Sequence, residues 1–136
     1  MKGMVIYAHH LYRNGCVQRF DVQDFGEPLY KTVGAVVGGH IEIVRPVGLP
    51  DPLLMIVNEE GLLRGLDFNT IASILYGIQH HGQPIVGNAV IMKEGYVDGE
   101  PDIVGLDPED INALSRILKA CALFTLEIEE DDDDSE

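Results

Sequence analysis

The chain has 136 residues, 46% of them apolar, which is the size and apolar content of one ordinary domain with a single core. Its net charge of −14 divides unevenly: of 23 acids, eight fall in residues 127–136 with no base, so fifteen acids and nine bases leave −6 on the body. The nine cations are scattered singly, which excludes the clustered phosphate contacts of a double-stranded nucleic acid ligand, and no run of about 18 apolar residues exists to span a membrane.

Lys2 to Ala8 reads as a first strand and Cys16 to Val22 as a second, with Asn14-Gly15 as the hairpin signal between them. Between Asp24 and Val37, residues Leu29, Val33, Val36 and Val37 recur at helical spacing, with Pro28 tolerated in the first turn and Gly38-Gly39 as the stop. His40 to Arg45 and the apolar run Leu53 to Asn58 read as strands separated by a Gly48 to Pro52 turn. Glu59-Glu60-Gly61 then reads as a tight turn into a third strand, Leu62 to Leu66, making a meander.

Asn69 is expected to cap a helix whose apolar stripe is Ile71, Ile74, Leu75 and Ile78, packed on a sheet containing Leu54, Ile56 and Val90 and ended by Gly82 and Pro84. Ile85 to Met92 is strand-like and carries few guarding charges, so it is expected at a sheet edge covered by a second copy in a symmetric homodimer. Lys93 to Asp102 reads as a polar hairpin or loop. Asp107-Pro108-Glu109-Asp110 starts a helix with a capping aspartate, proline in the first turn and acids at the positive end of the dipole. Its buried face is Ile111, Leu114, Ile117, Leu118 and Cys121, and Phe124, Leu126 and Ile128 read as a closing strand. The expected fold is α+β, a mainly antiparallel sheet with about three helices, in one domain over residues 1–129. Residues 130–136 are expected to form a disordered acidic tail, because such a charge block lacks the apolar content to order itself.

Candidate chemistry is sparse. Gly34, Gly38 and Gly39 close a helix rather than open one, and no Lys-Ser/Thr follows, so a structural cap outweighs a phosphate loop. Cys16 and Cys121 lack metal or redox spacing and read as buried free thiols. His9-His10, His40 and His80-His81 lack ligand spacing, and the last pair suits the negative end of a helix dipole. No cofactor and no metal are expected. The polar cluster Asn58, Glu59, Glu60, Arg64 and Asn69 is the candidate binding site, weighed against a turn in which Asn58 bonds nearby backbone and the acids are solvated.

The succession Val37-Gly38-Gly39-His40-Ile41-Glu42, Asn58-Glu59-Glu60-Gly61-Leu62-Leu63-Arg64, Phe68-Asn69 and Val86-Gly87-Asn88-Ala89-Val90 resembles small proteins of phages and mobile elements grouped as domain of unknown function 3846. The resemblance runs from about Leu29 to Leu106, with Gly38, Gly39, Gly61 and Gly87 as its structural glycines. It implies a small single domain in the cytoplasm of a bacterial host, and it carries no catalytic residues. The expected function is that of a non-catalytic accessory protein, for instance in counter-defence, that binds a host or phage macromolecule. A protein sequestering a nucleotide or similar small molecule, through an anion site using Arg64, Arg45 or Lys31, is the alternative. An enzyme using Asn58, Glu59, Glu60 and Asn69 comes third.

Overall fold

The apolar run from Leu53 to Val57 is a strand buried on both faces, and the rest of the molecule is arranged around it. The computed structural model describes residues 2–8, 17–21 and 28–122. In chain order the elements are β1 (Lys2–Ile6), β2 (Val17–Asp21), α1 (Leu29–Val37), β3 (Ile41–Val44), β4 (Leu53–Asn58), α2 (Thr70–Tyr76), α3 (Ile78–His81), β5 (Ala89–Val97), β6 (Glu100–Val104) and α4 (Pro108–Ala122). All the strand pairs are antiparallel, in the order β2-β1-β5-β4-β3, and the fold is α+β as expected. The first part of β5 pairs with β1, whereas its second part pairs with β6. The Leu106 N–H donates to the Lys2 carbonyl at 2.8 Å, joining the segment after β6 to the start of β1.

Because side chains alternate along a strand, β4 serves two cores. Leu53, Met55 and Val57 face α2 and α4 with Met4, Ile6, Ile91, Ile71, Leu75, Leu114 and Leu118. Leu54 and Ile56 face α1 with Val5, Val90, Met92, Val33 and Val37. A strand covered on both sides needs no polar alternation, which is why β4 reads as one apolar block.

Four sequence expectations are corrected. Leu62 to Leu66 is not a strand: residues 59–65 fold as successive turns, with Arg64 N–H donating to the Glu60 carbonyl at 2.9 Å and Leu66 N–H to the Gly61 carbonyl at 3.1 Å. The expected single helix after Asn69 is broken at Gly77, whose φ of 90° ends α2 and starts α3. That break leaves Ile74 and Ile78 exposed, and the buried stripe is Ile71, Ala72, Leu75 and Tyr76. It packs on the Met55 face of the sheet, while Leu54, Ile56 and Val90 lie on the opposite face under α1. The expected edge strand is interior: β5 starts at Ala89 and pairs with β1 and β6 on one side and β4 on the other, so the case for a dimer through that strand falls.

The polar stretch after Met92 continues β5 to Val97 and turns at Asp98-Gly99, both at positive φ, into β6. The start of α4 is as expected. Asp107 and Asp110 cap each other reciprocally, each backbone N–H donating to the other's carboxylate at 3.0 and 3.1 Å. Lys93 pairs with both carboxylates. The Asp110 backbone N–H, and then Lys93, hold the Asp107 carboxyl below the usual aspartate range, and the two aspartates raise Lys93 above its own. Leu114 and Leu118 are fully buried, with Ile111 and Ile117 at the margin. The Asn14-Gly15 turn, the side chains of both cysteines, the Phe124 to Ile128 strand and the acidic tail lie outside the described residues.

Candidate functional site

A helix C-terminus leaves its last carbonyls without partners inside the helix, and how α1 meets that need accounts for most of the sequence motifs. Gly38, at φ 88°, turns the chain so that its N–H and that of Gly39 both donate to the Gly34 carbonyl, at 2.8 and 3.0 Å. Three side chains from distant segments take the next carbonyls. Asn88 Nδ2 donates to Val36 O at 3.0 Å, Asn58 Nδ2 to Val37 O at 3.1 Å, and Arg64 Nη1 to Gly38 O at 3.0 Å. A Cβ on Gly39 would sit 2.9 Å from Arg64 Nη1 and 3.0 Å from Asn58 Nδ2. The motif residues around α1 thus pin its end to the sheet.

A consequence is that Gly39→Ala should destabilise the chain by about 1–3 kcal/mol through overpacking against a buried amide that cannot retreat. Urea unfolding measures it. An unchanged midpoint would mean that Asn58 does not hold the position described.

Asn58 also accepts from the Glu60 N–H at 2.7 Å, which tightens the turn that follows β4. Asn69 does a separate task. Fully buried, it donates to the Ile6 and Gly87 carbonyls, both at 2.9 Å, and accepts from the Ala72 N–H at 3.1 Å, so that it caps α2 and ties it to β1. Both asparagines have their amides engaged by backbone. Of the other expected site residues, Glu59 and Glu60 are exposed, and Arg64 is committed to the α1 end. Gly61 and Gly87 lie where Val86 and Leu66 leave no room for a side chain. The structure therefore divides Asn58, Arg64 and Asn69 between two structural networks and leaves the Glu59 and Glu60 side chains outside both.

Next to it is a groove of about 390 Å³ on the α2 side of the sheet, at its β3 edge. Val44, Val57, Leu62, Leu63, Tyr76 and Ile85 give it an apolar lining, with Gln83 and Pro84 at one side. Among the described lining residues the charged ones are Glu42 and Glu59, both acids. Tyr76 is held by a stack with His81, ring centroids 3.9 Å apart and nearly parallel. Leu63 is 90% exposed at the tip of the turn that forms one wall. The cations of the anion-site expectation are occupied elsewhere or absent from the lining: Arg45 pairs with Glu94 at 3.1 Å, and Arg64 binds Gly38.

Spacing alone does not reveal this groove, because its walls come from β3, β4, the turn after β4, α2 and the segment before β5. Two signals were present, the adjacent exposed leucines Leu62-Leu63 in a polar turn and the glutamate in a four-residue strand.

Among the described residues no helix is long and apolar enough to cross a membrane. No curated protein and no solved structure matches the chain. The family model "Domain of unknown function (DUF3846)" matches residues 11–119, extending the resemblance of the central motifs back over β2 and on through most of α4. Covering most of the sequence, that match makes the chain a member of the DUF3846 family.

Proposed function

We propose that the chain is a non-catalytic accessory protein of a phage or mobile element that works in the bacterial cytoplasm by binding a host or phage protein in the groove beside β3. The observation that carries this reading is the groove itself: an apolar hollow with two carboxylates at its rim, next to an exposed leucine. Exposed apolar surface around a concavity is characteristic of recognition sites, and the buried centre of a protein interface is more apolar than its polar rim. A nucleotide is the poorer fit. Its phosphates require cations or a row of N–H groups, and here they would meet Glu42 and Glu59. The engaged amides of Asn58 and Asn69 likewise weigh against an enzyme built on them.

Leu63→Asp tests the reading, because a residue so exposed contributes little to folding. Affinity capture from host lysate is expected to recover a protein with the wild-type chain and lose it with Leu63→Asp, at an unchanged melting temperature. Equal recovery by both would refute binding at this groove. Capture of a nucleotide or other small molecule in place of a protein would favour the sequestering alternative.

A further inference from the structure

Resting on that reading, we infer that the occupant of the groove is an extended segment of the partner protein that adds as a strand to β3, with a lysine or arginine opposite Glu42 and an apolar residue two positions away opposite Val44. The phase of the β3–β4 ladder leads to this. Glu59 N–H donates to the His40 carbonyl at 2.8 Å, and the register pairs Ile41 with Asn58, Glu42 with Val57, Ile43 with Ile56 and Val44 with Met55. Hydrogen-bonded pairs alternate along an antiparallel ladder, so Glu42 and Val44 exchange bonds with β4, whereas the N–H and C=O groups of Ile41 and Ile43 point away from it. Among the described strands nothing pairs with that edge.

The side chains of the same strand alternate the other way. Glu42 and Val44 face the groove, and Ile41 and Ile43 face the α1 side, with Ile43 43% exposed. An added strand would therefore meet an acid and an apolar wall at alternate positions on the groove side, with an exposed isoleucine between them on the other. The complementary sequence is a basic residue, then two apolar residues, read in one direction or the other according to strand polarity. Backbone bonds would supply affinity and the alternate side chains specificity. Charge favours this occupant, since Glu59 joins Glu42 at the rim and the described lining holds no cation to oppose a basic residue. The edge is short, the four-residue strand Ile41–Val44 bounded by Gly38-Gly39 before it and Pro46 after it, so the added segment is short as well.

The probe is a displayed library of random dodecapeptides selected against the full chain. Enriched peptides are expected to share a Lys or Arg adjacent to a pair of apolar residues. They should bind Ile43→Pro roughly tenfold more weakly than Ile43→Ala, because proline removes an edge donor that β4 does not use. In the wild-type chain the same peptides should slow amide exchange at Ile41 and Ile43, a readout that holds even if Ile43→Pro fails to fold. No enrichment, enrichment without the basic-apolar pattern, or binding that leaves both amides unprotected would each overturn the inference. If the partner protein is nonetheless lost with Leu63→Asp, strand addition fails while the groove reading stands; if neither effect is seen, both fail. Protection of the two amides without peptide, together with a dimer in sedimentation, would assign the edge to a second copy and also overturn it.

Discussion

Asn69→Ala is expected to lower stability by about 3–5 kcal/mol and the melting temperature by roughly 10 °C or more, the largest effect of any polar substitution among the described residues. The side chain is fully buried, and each of its polar hydrogens and its oxygen has a backbone partner: Ile6 O, Gly87 O and Ala72 N–H. Truncation strands those groups away from water, and each stranded group costs about 1–3 kcal/mol, of which loss of the helix cap accounts for about 1. Two further variants separate the parts. Asn69→Ser keeps a cap acceptor and should recover only the cap contribution. Asn69→Asp also keeps it but turns a carboxylate toward two carbonyls, so it should be at least as damaging as alanine. Chemical denaturation measures all three, and a loss below about 1 kcal/mol for Asn69→Ala would contradict the network.

Leu75→Ala should cost about 2–5 kcal/mol and Ile74→Ala less than about 1, although the two are neighbours in one helix and similar in volume. Leu75 is 1% exposed in the core between α2, the sheet and α4, so its loss leaves a cavity. Ile74 is 48% exposed. The asymmetry follows from Gly77. An unbroken helix over Ile71, Ile74, Leu75 and Ile78 would centre its apolar face between the two, whereas the left-handed glycine ends α2 and sends Ile78 outward. Similar losses from both substitutions would restore the continuous helix.

Gly77 also shows where the sequence is legible. Ile71, Ile74, Leu75 and Ile78 match the helical template, and one glycine inside such a pattern is commonly tolerated. The side chains that complete the buried face are Ala72 and Tyr76, a small residue and an amphipathic one, which hydropathy ranks below isoleucine. Strands buried on both faces, such as β4, and the helix start at Asp107-Pro108 were readable because each is set by its own residues. The β5–β6 hairpin was blurred by its charges: past the core its ladder is held by backbone bonds, and Asp98-Gly99 was the signal that locates the turn.

The candidate site is legible in the sequence as a cluster of polar residues, but what each of them bonds to is not. Asn58, Arg64 and Asn69 look alike in sequence whether they await a ligand or satisfy a carbonyl, because the difference lies in what the fold brings to them. Here it brings the end of α1 to Asn58 and Arg64, and the ends of β1 and α2 to Asn69. Stop signals such as Gly38-Gly39 predict that a helix ends; they do not say which distant side chains will receive its carbonyls.

The most direct test of the groove as the binding surface is amide hydrogen exchange on the full chain, alone and with the captured partner. Slowed exchange is expected in β3, in the turn at Gly61 to Arg64 and in the segment from Gln83 to Val86, with the exposed face of α1 unchanged. Protection confined to α1 or to the β5–β6 hairpin, with those three segments unaffected, would contradict it.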